Sequence, residues 1–129
     1  MHRSRLVGIS IDCDTEDLGA ATEFWAQALG APAKHAADLS KSPYVELNMP
    51  AGEPCVEIQK VDHPSRVHID IEADDVEAEV ARLENLGAKR IASIRDWVVL
   101  EAPTGQRFCV VPVISADFAN RANTWDTDT

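Results

Sequence analysis

Residues Val67 to Asp75 read VHIDIEADD, and the chain's most chemically capable side chains alternate there. Strict alternation puts Val67, Ile69 and Ile71 on one side of an extended segment and His68, Asp70 and Glu72 on the other. An imidazole beside two carboxylates can exchange a proton, hold a cation or accept hydrogen bonds from a ligand. It can equally meet nothing but bulk water. In RFCVV, Arg107 shares the face of Cys109 by the same alternation. Its guanidinium would meet an anionic group or pair with a neighbouring carboxylate such as Glu101. Cys13, Cys55 and Cys109 are odd in number and lack C-x-x-C spacing, which suits reduced thiols rather than a disulfide framework. His2, His35 and His63 fall in a terminus or in turn-like sequence and are expected to be solvated.

The bulk properties bound what these residues can serve. A chain of 129 residues and 14.1 kDa is expected to form one domain, burying roughly two thirds of its unfolded surface. A hydrophobic share of 45% supports a packed core without metals or cross-links. The net charge of −10 repels a phosphate backbone, and no basic run appears, so neither nucleic acid nor a membrane surface is an expected partner. The apolar run after Arg3 and Arg5 is broken at Asp12, too soon for a signal peptide or a membrane span. The expectation is a soluble, cytoplasmic protein.

The elements that must position the chemistry follow from periodicity. RLVGISID, Arg5 to Asp12, alternates as a strand, and DTEDLGAATEFWAQALG after it has helical spacing through Leu18, Ala21, Phe24, Trp25, Ala28 and Leu29. Phe24 and Trp25 are expected in the core, and Gly30 sits where a C-terminal cap belongs. YVELN and CVEIQKV are strands around the MPAGEP turn. After VHIDIEA comes a second helix, DDVEAEVARLENLG, expected to be capped by Asp74, striped by Val76, Val80, Leu83 and Leu86, and closed by Gly87. RDWVVLEAPTGQRFCVVPV is two strands around Pro103-Thr104-Gly105. The polar tail from Ser115 either drapes over the domain through Phe118 and Trp125 or frays.

Strand, helix and short strands thus occur twice, and the two runs align in register. Laying VGISIDCD, Val7 to Asp14, on VHIDIEAD, Val67 to Asp74, matches Val with Val and Ile with Ile twice. It also matches Asp12 with Glu72 and Asp14 with Asp74, and both helices end in LGA. Each copy alone cannot bury its sheet, so the two are expected to pack together.

A βαβββ unit repeated twice, with FWAQALGA closing the first helix and RVHIDIEADDVEAEVARLENLGA opening the second half, resembles the vicinal oxygen chelate superfamily. That superfamily includes glyoxalase I, bleomycin-resistance proteins and extradiol dioxygenases. WVVLEAPTGQRFCVV resembles the strand, Pro-x-Gly turn and strand that end its domains, and the match is nearest to the glyoxalase-like subgroup. The resemblance implies an α+β fold in which two βαβββ repeats form a curved, half-open, mixed-sheet cup with helices outside. Repeat one would run about 5–61 and repeat two about 66–113, followed by the tail at 114–129, all in a single domain. Val67, Ile69 and Ile71 would then pack on the helices, and His68, Asp70 and Glu72 would line a wet cavity, because unpaired carboxylates do not sit in a dry one.

Metal-using members place ligands on the opening and closing strand of each half. Carried over, the opening positions fall on His68 and Gly8, and the closing positions on Cys109 and Gln59, with Glu57 two residues before Gln59 on the same face. Gly8 has no side chain to give. A catalytic zinc takes three good protein ligands, and oxygen-seeking metals find a thiol poor, so a metal-free cavity is expected, with a divalent metal as the alternative. His68 is then the candidate catalytic residue. Gln59, Asp70, Trp97, Arg107 and Cys109 are the candidate ligand-binding residues, Trp97 as an aromatic wall and Cys109 with His68 as a thiol and base. The expected function is binding of a small organic molecule. The alternative is a metal-dependent or His-based lyase, isomerase or dioxygenase-type enzyme, while the gap at Gly8 argues against glyoxalase I activity. Relatives imply a homodimer.

Overall fold

The computed structural model describes residues 1–126. It is of the α+β class, with an open, mixed sheet of eight strands in the order β2-β3-β1-β4-β7-β6-β5 and β8 beside β1. The elements are β1 (His2–Asp14), α1 (Leu18–Leu29), β2 (Tyr44–Glu46), β3 (Cys55–Val61), β4 (Arg66–Ala73), α2 (Val76–Asn85), β5 (Lys89–Ile94), β6 (Trp97–Glu101), β7 (Arg107–Pro112), α3 (Phe118–Arg121) and β8 (Asn123–Trp125). Among the described residues, no helix is long and apolar enough to cross a membrane. The chain divides into two compact units, Gly8–His68 and Met1–Val7 together with the chain from Ile69 onward.

In the unit Gly8–His68, β3 runs parallel to β1 and β2 runs antiparallel to β3. The Asp17 carboxylate accepts from the Ala20 amide at 2.9 Å and starts α1. Gly30 ends it at φ 65, a left-handed conformation that glycine adopts without a Cβ penalty. Leu18 packs with Ile11, Val45, Leu47, Val56 and Ile58, and Ala21 and Trp25 lie against that cluster. Phe24, expected in the core, is 63% exposed. It lies six positions after Leu18, off the stripe that Leu18, Ala21 and Trp25 define, and its ring meets the Trp25 ring at right angles, 5.0 Å between centres.

In the other unit β7 runs parallel to β4, and β6 and β5 follow antiparallel. Both units therefore close with a strand parallel to their opening strand, as a duplication requires. Ala73, Val98, Leu100, Phe108 and Val110 form the core with Val80 of α2. Asp75 rather than Asp74 caps α2, accepting from the Ala78 amide at 3.0 Å. Asp74 is drawn off to the Arg3 amide, 2.8 Å away. Leu86 is 67% exposed because it follows the last helical turn instead of continuing the stripe. β5 is one of the three strands that a βαβββ unit places after its helix, but KRIASI mixes charged and apolar residues without clean alternation, so periodicity alone does not locate it.

The described part of the tail is held rather than frayed, and residues 127–129 lie outside the described residues. β8 pairs antiparallel with His2–Ser4 at the start of β1, and Phe118 is buried. Glu79 of α2, which has no exposure, accepts from Ser4 Oγ at 2.8 Å and from Arg82 Nε and Nη2 at 2.8 and 2.9 Å. Its Oε1 also lies 2.8 Å from His2 Nε2. Ser4 Oγ in turn accepts from Trp125 Nε1 at 2.8 Å, and the Arg82 guanidinium stacks 3.8 Å from the centre of that indole. His2, expected to be solvated, is 2% exposed because this carboxylate draws it in.

Candidate functional site

Residues paired across a ladder share a face, so the registers sort the polar side chains. In the unit Gly8–His68, Gln59 of β3 stands opposite Asp12 of β1 and opposite Tyr44 of β2, and Glu57 stands opposite Ser10 and Glu46. Ile11, Val45, Val56 and Ile58 alternate to the other face and make the core there. The sheet thus has one apolar face and one polar face.

On the polar face His68 and Asp12 meet. His68 Nδ1 lies 2.7 Å from Asp12 Oδ2, with Asp12 only 3% exposed. The buried Ser10 hydroxyl donates to the other carboxylate oxygen at 3.1 Å, and Arg66 Nε lies 4.0 Å from Oδ2. Asp12 is the residue that sequence reading missed. Its signal was present in the match of Asp12 with Glu72 between the two halves, but nothing local ties it to a histidine 56 residues away.

In the other unit Asp70 of β4 stands opposite Cys109 of β7, which stands opposite Val99 of β6, and Arg107 stands opposite Glu101. Trp97 alternates with Val99 and Glu101 and so belongs to the same face, while Val98, Leu100, Phe108 and Val110 face the core. Asp70, Trp97, Arg107 and Cys109 are all half-buried. Arg107 Nε lies 3.6 Å from Glu101 Oε1.

Two expectations for β4 need correction. Val67 and Ile69 were expected under the helices but are 59% and 43% exposed; on that side only Ile71 and Ala73 reach the α2 core. Glu72 does not line a wet cavity. It is wholly buried and accepts from the Ile114 and Ser115 amides at 2.8 and 3.0 Å and from the Ser115 hydroxyl, with Arg5 Nε at 3.5 Å. A carboxylate that far from water needs such partners, and the tail supplies them.

His68 and Asp70 stand two residues apart on the continuous strand β4, and one ligand atom from each, with Cys109 Sγ, falls within 4.8 Å of the others. A nitrogen, an oxygen and a sulfur donor suit zinc better than an oxygen-seeking metal. The family's fourth position, Gly8, cannot contribute. A Cβ built there would lie 2.7 Å from the Cys55 carbonyl oxygen and 3.1 Å from Cys55 Cβ. Glycine is required by the close approach of β1 to β3. The ladder also places Glu57 opposite Ser10 as Cys109 stands opposite Asp70, so Glu57 is the counterpart of Cys109, and Gln59 is the neighbour of Asp12. Cys13 is not a ready nucleophile: burial and the adjacent Asp12 charge push its thiol up, only partly offset by a hydrogen bond with Trp25.

Comparison with known proteins places this geometry. Residues 9–111 match the family model of the glyoxalase-like domain. No curated protein matches the chain. Among solved structures, a hypothetical protein from Bacillus halodurans is similar at a TM-score of 0.61 and 15% identity, over 87% of this chain and 96% of that one. Methylmalonyl-CoA epimerase from Mycobacterium tuberculosis gives a TM-score of 0.60 at 15% identity, over 84% and 88%. An extradiol ring-cleaving dioxygenase from B. fuscum gives 0.56 at 14% identity, over 86% of this chain and 33% of that one. At such identities the likeness is one of fold.

Proposed function

As this chain belongs to the glyoxalase-like domain family of the vicinal oxygen chelate superfamily, we propose that it binds a small organic molecule on the polar sheet face around His68. The observation that carries this reading is the Asp12–His68 pair. A buried carboxylate 2.7 Å from the ring holds an imidazole in one orientation on the sheet face opposite the one that α1 packs. Gln59, in the same unit as His68, and Asp70, Trp97, Arg107 and Cys109, which share a face of the other unit, are the proposed contacts. The fold hosts unrelated chemistries, so the site and not the scaffold has to decide among them.

A second reading rests on the donor cluster of His68, Asp70 and Cys109. These three would hold a zinc ion, with Asp12 orienting the histidine as carboxylates behind metal-bound imidazoles do. The metal would supply Lewis acidity for a lyase or isomerase reaction. The full four-ligand set of the metal-using relatives is not rebuilt, because Gly8 is closed to any side chain.

Equilibrium dialysis against hydroxy acids, phenols and acyl thioesters, with and without chelator, separates the two readings. Binding should survive the chelator and weaken about ten- to a hundredfold in His68→Ala, as expected for a lost hydrogen bond to a partly buried ring. Binding that disappears with the chelator, together with about one zinc per chain in the purified protein, would establish the metal reading instead.

A further inference from the structure

We infer that the tail segment Ile114–Ser115, pinned on Glu72, is an end wall of the face that carries Asp70 and Cys109, and that it selects a ligand with a polar head and a short apolar end. This specificity rests on the proposed small-molecule site and adds to it the polarity and length of the molecule.

Three rows of side chains cross this face of β4, β7 and β6. Arg107 and Glu101 make one row, and Asp70, Cys109 and Val99 make the next. In the last row Glu72 stands opposite Val111. One step beyond the pair Val98 and Val110, the same antiparallel register puts Trp97 beside Val111. That row would be half polar but for the tail. Glu72 has no exposure, because the Ile114 and Ser115 amides donate to one of its oxygens and the Ser115 hydroxyl to the other. Val111 and Trp97, both half-buried, are what the last row leaves accessible. Polarity therefore falls from Arg107 and Glu101 toward Trp97.

The same cover sets a length. Asp70 is partly exposed and Glu72, two residues and about 7 Å further along the strand, is not, so the wall begins between them. Beyond Glu72 the tail is tied down again. Phe118 is buried with the Arg3 guanidinium 5.4 Å from its ring centre, Asp117 Oδ1 lies 3.6 Å from Arg5 Nη1, and β8 pairs with His2–Ser4. A segment anchored on both sides is a wall rather than a flap. An apolar group laid on Trp97 gains by leaving water until it reaches that wall, and then gains nothing more.

Phenol and its para-methyl, para-ethyl, para-butyl and para-hexyl derivatives test this on the intact chain. Binding is followed through the indole N–H signals of the three tryptophans, with Trp97→Phe identifying the Trp97 signal. The probes should shift Trp97 and leave Trp25 and Trp125 in place. Affinity should rise up to about fourfold per carbon through ethyl and stay level from butyl to hexyl. Glu72→Ala unpins the two amides and should let the rise continue through hexyl. Val111→Phe fills the last row and should remove the rise from methyl onward. Affinity that climbs through hexyl in the wild type overturns the wall even where Glu72→Ala fails to fold. A folded Glu72→Ala that keeps the wild-type limit overturns it too, as does a Val111→Phe series identical to wild type. Probes that shift His68 but not Trp97 end this inference and leave ligand binding standing, whereas probes that shift neither refute both.

Discussion

Glu79→Ala should lower the unfolding free energy by about 3–5 kcal/mol, the scale seen when one partner is removed from a buried charged group. Glu79 lies at the hub of one internal network, with Ser4, His2 and both donors of Arg82 on its two oxygens and Trp125 one bond further out. Alanine leaves His2 and Ser4, each 2% exposed, facing an empty volume, and removes the tether between α2 and the start of β1. The same network sets a pH dependence. Burial alone would raise the Glu79 carboxyl, but hydrogen bonds from Arg82, His2 and Ser4 outweigh it and hold the group below the ordinary carboxylate range. A native pKa below the unfolded one contributes stability that is complete above the unfolded value and is lost as pH falls through the native value. Urea unfolding at neutral and acid pH should therefore show Glu79→Gln well below wild type at neutral pH, with the gap narrowing in acid. Equal stability of the two at neutral pH would contradict the network's role.

Gly8→His tests the other strong claim, that the family's missing ligand cannot be restored. The substitution puts a good metal-ligating side chain at that position. Its Cβ, however, would sit 2.7 Å from the carbonyl oxygen of Cys55, which is backbone and has no rotamer to escape through. The parallel pairing of Gly8 with Cys55 must open, at a cost of about 1–3 kcal/mol or more, as for an overpacked core. Thermal unfolding should fall by several degrees, and zinc titration should show no gain in affinity. A variant as stable as the parent that also acquires tighter zinc binding would show that Gly8 is a dispensable gap.

Much of this fold was legible because its pattern is period-two and repeated. The match of Val7–Asp14 with Val67–Asp74 located both opening strands, and β3, α2, β6 and β7 followed from alternation and turn residues. The candidate site was half legible. Alternation put His68 opposite Val67 and Ile69, and cross-strand pairing confirms that Asp70 and Cys109 share a face, as do Arg107 and Glu101. What alternation cannot give is the partner across the sheet. The 2.7 Å contact of His68 Nδ1 with Asp12 Oδ2 joins residues 56 positions apart, which no local pattern announces. Equally, an acidic residue on a polar face looks the same in sequence whether it meets a ligand or a tail, which is why Glu72 was misplaced. His2 was misread for the same reason: a terminal histidine next to two polar residues carries no mark of the glutamate 77 positions on that buries it.

The central claim is that a small organic molecule sits against His68 without needing a metal. It is tested most directly by mapping chemical-shift changes from a panel of hydroxy acids, phenols and acyl thioesters onto the wild-type protein in chelator. Binders are expected to shift the His68 ring together with Gln59 and Asp70, and to lose that effect in His68→Ala. Binding that leaves His68 unmoved, or shifts at His68 that appear only once zinc is added back, would contradict it.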